Sequence, residues 1–323
     1  MIKSISVKNL LTHSLTDSLT HAIRFMKKEF DIIGRSKIWF TFSAILIVVS
    51  IFSIGYFGLN LGIDFTGGSL LEVQYEADVT LDSVRSTLVD LDYEAVIQEG
   101  TQETFLIRTE NITREEHDVI LTGLEGLGAL EEMRFEAIGP IIGEELRRKS
   151  VTAVILLLVL IVLYVAWAFR KVSRPIASWK YGILTIVAAM HDVLVPLGVF
   201  AVLGSVVGYQ IDTAFVAALL TILGYSINDS IVVFDRTREN LVSNRHSDAS
   251  FAHIVNKSVI QSFARSINTS LTTLLVLLAI FFFGGETTRS FILALMIGII
   301  SGAYSSIFLA SPLLVTWERK NRK

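Results

Sequence analysis

Apolar residues along this chain are gathered into six long blocks that contain almost no charged side chains. A helix needs about 20 mostly apolar residues to cross the hydrocarbon core of a bilayer, and each block is long enough. The pattern therefore predicts an α-helical polytopic membrane protein with six transmembrane helices. The predicted spans, numbered 1 to 6, cover residues 38–59, 150–169, 181–204, 213–234, 266–285 and 290–316.

Lysine and arginine residues predict the orientation of these spans. They cluster on one side of the predicted membrane, whereas 205–212 contains none and 286–289 contains one. Because short loops rich in Lys and Arg stay in the cytoplasm, both termini are predicted to be cytoplasmic, in segments 1–37 and 318–323. Span 1 lacks a cleavage pattern, so we expect an uncleaved anchor. The clusters are Lys27, Lys28, Arg35 and Lys37; Arg170, Lys171, Arg174 and Lys180; Arg236, Arg238, Arg245 and Lys257; and Arg319, Lys320, Arg322 and Lys323.

Residues 60–148 then form an extracytoplasmic domain, before 149–317 carry spans 2 to 6. Strand-like segments at 69–76, 94–100, 104–110 and 130–138 alternate with helical patterns that begin at Thr80 and Thr113. The T-R-E-E stretch from Thr113 is a capping box, which marks the start of a helix. The order β-α-β-β-α-β predicts a small α+β domain of ferredoxin-like type. Its scattered acidic residues form no catalytic pattern, so we expect a solvated face and no enzyme.

Composition narrows the function further. The net charge is −3 without a basic excess, so nothing supports binding to nucleic acid. There are no cysteines, and the six histidines are scattered without the spacing of metal ligands. We therefore expect neither a cofactor nor a metal.

Span 4 carries a carboxylate, although an ionised side chain at the centre of a membrane helix costs about 2.5–3.5 kcal/mol on insertion scales. Helical periodicity places Thr221, Tyr225, Asp229 and Arg236 on one stripe, with Asn228 beside it. Such a polar stripe is expected to face other helices or water rather than lipid.

Span 5 offers a partner for that stripe. Arg265 lies close to the cytoplasmic end, and Asn268, Thr269 and Thr272 follow it at helical spacing. An ion pair between Asp229 and Arg265 is predicted. Such a pair would be either a structural contact that holds the helices together or a proton site whose charge Arg265 controls. A third alternative is that the Arg265 side chain extends to the membrane interface instead.

Other polar and small residues leave alternatives open. Asp192 lies near the middle of span 3, next to His191 and four residues before Pro196, which is expected to distort the helix. Asp192 is either a buried structural group or part of a proton path. In span 6, Gly298 and Gly302, followed by Ser305 and Ser306, predict close contact between helices.

Two further segments are predicted at the membrane boundary. The stretch GIDFTGGS (62–69) contains Asp64, Gly67 and Gly68. The glycine pair favours a flexible turn where the chain leaves the membrane, with Asp64 solvated. The link at 245–263 has apolar residues at near-helical spacing, which predicts an amphipathic helix on the membrane surface.

Several of these stretches together resemble the SecF family of bacterial protein-export subunits, within the resistance-nodulation-division superfamily. They are GIDFTGGS, MHDVLVPLG, GYSINDSIVVFDRTREN, RSINTS and FGGETTRSFILALMIGIISGAYSSI, in the family's order over about 37–317. Residues 1–30 carry no such signature. The resemblance implies Asp229 as the aspartate of the proton path, rather than the shallower Asp235, with Arg265 as its partner.

The resemblance also implies partners. SecD would complete a twelve-span assembly in the bacterial inner membrane and would supply a further carboxylate of the relay. That assembly would act with the SecYEG channel and SecA on unfolded secretory proteins, with protons as the coupling ion, and YajC and YidC are further implied partners. Two alternatives stay open: half of a small-molecule or lipid exporter of the same superfamily, and a scaffold whose polar residues only join helices.

Overall fold

A computed structural model describes residues 30–76, 78–100, 103–170, 177–244 and 249–321. The basic residues Lys27, Lys28, Lys171, Arg174, Arg245, Arg322 and Lys323, used above for orientation, lie outside the described residues, as does most of the predicted segment 1–37. In chain order the elements are α1 (Ser36–Phe57), α2 (Ile63–Thr66), β1 (Gly68–Tyr75), α3 (Leu81–Asp90), β2 (Val96–Glu99), β3 (Thr104–Thr109), α4 (Arg114–Glu125), β4 (Leu130–Ile138), α5 (Pro140–Ala168), α6 (Ser178–Val206), α7 (Thr213–Ser243), α8 (Phe251–Phe283), α9 (Glu286–Ser305), a π-helical turn (Ser306–Ala310) and α10 (Ser311–Asn321).

Within the described residues, six helices are long and apolar enough to cross a membrane. They are α1, α5, α6, α7, α8 and the continuous helix formed by α9, the π-turn and α10. The prediction of a mostly helical, six-span membrane protein is confirmed. Because six is an even number, the start of α1 and the end of α10 lie on the same side of the membrane.

Two helices extend well beyond their predicted spans. Helix α5 begins at Pro140, where the missing N–H of proline is tolerated in a first turn. Helix α8 begins at Phe251, so the predicted separate surface helix at 245–263 is wrong: from Phe251 onward the segment is the first part of a spanning helix. Its apolar residues, including Val255 and Val259, are buried in the protein core rather than presented to a membrane surface.

The spanning helices form an inner and an outer group. At least half of the most apolar stretch is buried in α6, in α7 and in the helix that contains α9, whereas at most 17% is buried in α1, α5 and α8. Helix α6 contacts α1, α5, α7 and α9, and α7 also contacts α8 and α9. Side chains that face inward from α6, α7 and α9 are therefore shielded from lipid by the protein itself.

Close packing of α9 against α7 depends on small residues. A Cβ atom on Gly298 would lie 2.2 Å from the side chain of Ile222, and one on Gly302 would lie 3.1 Å from Cβ of Ser226. The predicted contact face of span 6 is thus confirmed, with α7 as its partner.

The α+β domain between α1 and α5 has the predicted order of elements. Its four strands form one antiparallel sheet in the order β2-β3-β1-β4. Helices α3 and α4 cover one face, where Leu88 and Leu124 pack on the sheet residues Val73 and Phe105. The capping box that opens α4 is present, because the Thr113 N–H donates to Glu116 Oε2 at 2.6 Å and the Glu116 N–H donates to Thr113 Oγ1 at 3.3 Å.

Candidate functional site

Asp229 lies near the middle of α7 and is buried, with 8% of its surface exposed. Its Oδ1 atom accepts a hydrogen bond from the Ser266 hydroxyl of α8 at 2.6 Å, and its Oδ2 atom accepts one from the Ser306 hydroxyl. Two helices thus supply donors to a carboxyl group on a third. By contrast, Asp235 is exposed and pairs with Arg238 at 2.7 Å, so it does not take part in this buried site.

Asp192 forms a second buried carboxyl site, fourteen residues from either end of α6, with no exposed surface. Its Oδ2 atom accepts hydrogen bonds from Ser226 of α7 at 2.5 Å and from Ser305 of α9 at 2.6 Å. Its Oδ1 atom accepts one from Ser301 at 2.8 Å and lies 3.0 Å from Nδ1 of the neighbouring His191. Because buried polar groups are costly unless they are hydrogen-bonded, this set of donors allows the acid to stay within the bundle.

The two acids share supporting elements. Ser226, which binds Asp192, lies one turn before Asp229 on α7. Ser305 and Ser306, adjacent at the end of α9, bind Asp192 and Asp229 respectively. The site therefore consists of two hydrogen-bonded carboxyl groups on neighbouring helices, with hydroxyl donors from α7, from α8 and from the helix that contains α9.

The predicted ion pair between Asp229 and Arg265 is not formed in this structure. The residue of α8 that contacts Asp229 is the next one, Ser266, and the inward face of α8 is the serine row of Ser262, Ser266 and Ser270. Adjacent residues diverge by about 100° around a helix, which turns Arg265 away from the buried acid.

The remaining candidates on these two helices lie mostly at the surface. Residues exposed on α7 and α8 next to the buried site are Asn228, Arg265, Asn268, Thr269 and Thr272, which together are called the exposed polar face below. Tyr225 is half-buried, and within the described part of the chain its hydroxyl has no hydrogen-bond partner. The exposed polar face flanks the Asp229–Ser266 contact, since Asn228 and Arg265 are each adjacent in sequence to one of those residues.

The serines around the acids were not predicted as ligands of the carboxyl groups. Sequence reasoning recognised Ser305 and Ser306 only as small residues that permit close packing. The available signal was helical spacing: Ser301 and Ser305 are four residues apart, as are Ser262, Ser266 and Ser270.

Asp64 connects the segment that leads into the α+β domain to α7. Its Oδ2 atom accepts hydrogen bonds from the Thr213 backbone N–H at 2.7 Å and the Thr213 hydroxyl at 2.5 Å. Asp212 accepts a third hydrogen bond, from the Phe215 N–H, at 2.6 Å. Two carboxylates therefore cap the first turn of α7, where the helix dipole favours negative charge. The prediction that Asp64 is simply solvated is wrong.

Gly67 and Gly68 form a closely packed junction rather than the predicted flexible turn. Their φ angles are 75° and 131°, a region that favours glycine. A Cβ atom on Gly67 would lie 2.9 Å from Cα of Pro140, and one on Gly68 would lie 2.7 Å from the carbonyl oxygen of Thr109. The glycines thus let the start of β1 pass directly against the start of α5 and the end of β3.

A cavity of about 750 Å³ lies between the sheet and the start of α7. Its lining includes Arg108 from β3 together with Asp64 and Asp212. Burial lowers the pKa of Arg108, and burial also raises the pKa of Asp212, while the opposite charge of each partly offsets the other's shift. Backbone hydrogen bonds support the same junction, since Gly62 N–H donates to Ile211 and Ile211 N–H donates to Asn60, both at 2.8 Å.

The described ranges contain no group of three or more His, Asp or Glu side chains positioned to hold a metal ion.

This architecture defines a class: a multi-pass membrane protein whose helices enclose two hydrogen-bonded acids and carry a ferredoxin-like domain on a Gly-Gly junction. Residues 120–320 match the family described as protein export membrane protein SecD/SecF, C-terminal, and residues 52–79 match the SecD/SecF GG motif. The chain belongs to the SecD/SecF family of protein-export membrane proteins.

Individual relatives agree with this assignment. The protein translocase subunit SecF of Thermobaculum terrenum is 44% identical over 306 residues, which cover 90% of this chain and 95% of that protein. The protein translocase subunit SecDF of Thermus thermophilus is 41% identical over 277 residues, or 82% of this chain and 35% of SecDF. The crystal structure of SecDF, a translocon-associated membrane protein, from the same organism superimposes with a TM-score of 0.80 at 37% identity, over 90% of this chain and 39% of that one.

Proposed function

We propose that this chain is the SecF half of a SecD–SecF assembly that uses the proton-motive force to complete protein export. In this proposal, unfolded secretory proteins pass through the SecYEG channel after SecA has acted, and protons crossing the SecD–SecF helices drive the final movement. YajC and YidC are further candidate partners in the bacterial inner membrane. The chain itself carries out no bond chemistry.

The observation that supports the proposal most is the burial of Asp229 among hydroxyl groups inside a transport-family bundle. Intramembrane carboxyl groups are expensive, and proton relays are a common use of them. Serine hydroxyls suit such a use, because they donate to an ionised carboxylate and accept from a protonated one.

The fused Thermus SecDF relative supports the choice of partner. This chain matches only 35% of SecDF, so a second, SecD-like part exists in that protein. The exposed polar face on α7 and α8 is the region of this chain where a SecD subunit would bring its own carboxyl group near Asp229. Arg265 would then lie between the two subunits rather than within one.

Energetics are compatible with the proposal. One elementary charge that crosses 100 mV releases about 2.3 kcal/mol. That amount shifts a two-state equilibrium about fiftyfold, since about 1.4 kcal/mol corresponds to a factor of ten. A single proton is thus enough to bias a movement of the extracytoplasmic domain.

The test is export of a secretory precursor into membrane vesicles that contain the assembled complex, with and without a proton gradient. We expect Asp229→Asn and Arg265→Ala to assemble normally but to lose most of the gradient-dependent stimulation. Asp235→Asn, which changes an exposed aspartate six residues away on the same helix, should behave as wild type. Full gradient dependence in an assembled Asp229→Asn complex would refute the proposal, and loss of assembly in that variant would favour the scaffold alternative.

A further inference from the structure

Ser305 and Ser306 are consecutive residues that bind two different buried acids. Ser305 donates to Oδ2 of Asp192 on α6 at 2.6 Å, and Ser306 donates to Oδ2 of Asp229 on α7. Neither serine has any exposed surface. Because consecutive side chains diverge by about 100° on a helix, one helix end can face α6 and α7 at the same time.

The backbone at this point is not an ordinary α-helix. A π-helical turn begins at Ser306 and ends at Ala310. The carbonyl oxygen of Ser306 accepts a hydrogen bond at 3.0 Å from the hydroxyl of Ser311, five residues later. Single π-turns inside α-helices occur frequently at functional sites. The change of helix type thus coincides with the residue that contacts Asp229.

Two acids in one shielded site are not independent. Their charges repel, and with little solvent to screen them the state in which both are ionised is disfavoured. The titratable groups next to the pair are His191, adjacent to Asp192, and Tyr225, one turn before Asp229. Arg265 lies on the exposed side of α8, and the Tyr304 hydroxyl donates to the Trp39 carbonyl oxygen of α1.

We propose that Ser305 and Ser306 are positioning residues that hold Asp192 and Asp229 as one coupled proton site within this chain. The inference rests on the proposed function and adds Asp192, with the two serines, to the proton path. Each serine hydroxyl can keep its hydrogen bond to the acid in both protonation states, because the hydroxyl donates to a carboxylate and accepts from a carboxylic acid. The site therefore changes charge without leaving a buried group unpaired.

The test uses Ser305→Ala and Ser306→Ala, alone and together, in the assembled complex. Each removes one oxygen atom and leaves the volume nearly unchanged, so assembly should persist. We expect each single change to lower gradient-dependent export about tenfold, which corresponds to one hydrogen bond to a charged group. The matched controls are Ser230→Ala and Ser270→Ala, since both hydroxyls are buried but have no hydrogen-bond partner in the described part of the chain.

A spectroscopic measurement separates positioning from packing. In infrared difference spectra, the carbonyl stretch of the protonated acid at Asp229, identified by its loss in Asp229→Asn, should move to higher frequency in Ser306→Ala. The band should also move in Asp192→Asn, because the two acids are coupled, and should stay in place in Ser270→Ala.

The outcomes distinguish the two proposals. If Asp229→Asn removes gradient dependence while both serine variants retain full activity and an unshifted band, the serine coupling is refuted and the proposed function stands. If Asp229→Asn retains full gradient dependence, the proposed function fails first. An equal loss in the Ser270→Ala control would also overturn the inference, since any buried hydroxyl would then have the same effect.

Discussion

At the scale of single residues, two glycines set the geometry with which the chain leaves the membrane. Gly67 and Gly68 have positive φ angles, and each leaves too little room for a side chain. We expect Gly67→Ala and Gly68→Ala each to destabilise the protein by about 1–3 kcal/mol from backbone conformation alone, and by more where the new methyl group clashes. Thermal unfolding of the purified protein in detergent measures the effect.

Gly139 is a suitable control for this prediction. It lies at the same junction, directly before α5, but a Cβ atom there would meet nothing within 4 Å. Gly139→Ala should therefore unfold close to the wild-type temperature. If all three alanine variants unfold together, the junction is not closely packed in solution and the conformational argument is wrong.

Single positions also show which features of the predicted site depth along a span can indicate. The family resemblance and depth along the span both favoured Asp229 over Asp235, and the structure buries Asp229 and leaves Asp235 exposed. Resemblance and depth were insufficient to select Ser266 over Arg265 as the contact of the buried acid, because neighbouring residues differ by only about 100° in direction. Charge complementarity favoured Arg265 as the contact of Asp229. The structure instead turns Ser266 inward, because the rotation of α8 against α7 depends on packing that sequence patterns do not reveal.

At the scale of elements, α7 runs from the junction with the α+β domain to the buried acids. Its first turn is capped by Asp64 from the domain side, and Asp229 lies sixteen residues further along the same helix. A rigid helix transmits a displacement at one end to side chains along its length. In the proposed function, the Asp64–Thr213 contact is therefore a point where domain movement and proton binding would influence each other.

The corresponding prediction concerns Asp64→Ala. Loss of a capping carboxylate costs a helix about 1 kcal/mol, so the first turn of α7 should open more readily. We expect faster amide hydrogen exchange in residues 213–216, with little change in the rest of α7. Asp90→Ala, which removes an exposed aspartate from the same domain, should leave exchange in α7 unaltered. Unchanged exchange in the Asp64 variant would show that the cap does not hold this turn.

The sequence predicted some of these elements better than others. The domain followed from local signals, since strand alternation and the Thr113 capping box act over a few residues. Hydropathy predicted the spans but not their full length. Helices α5 and α8 begin earlier, in more polar sequence that hydropathy does not mark as part of a span. The π-turn was not predictable, because it depends on how Ser306 and Ser311 meet their neighbours in the folded bundle.

At the scale of the whole molecule, the outer helices decide where a partner packs. Most exposed residues of α1 and α5 are apolar, as expected for surfaces in contact with lipid. The exposed polar face differs, since it places an arginine and two asparagines at the surface of membrane-spanning helices. Polar side chains within a membrane are expected to face protein or water, so this face is where we expect the SecD subunit.

The absence of cysteine from the chain makes this expectation directly testable. Asn268→Cys, labelled with a benzophenone maleimide and irradiated in membranes, should cross-link efficiently to a co-expressed SecD subunit. Phe52→Cys on α1 is the control: its side chain is 64% exposed but lies among apolar neighbours. Cross-linking at residue 268 but not at residue 52 would place SecD against α8, beside the Asp229–Ser266 contact. Equal cross-linking at both positions, or cross-linking at residue 52 alone, would require another surface for SecD and would leave Arg265 facing lipid, where its charge is hard to reconcile with a stable fold.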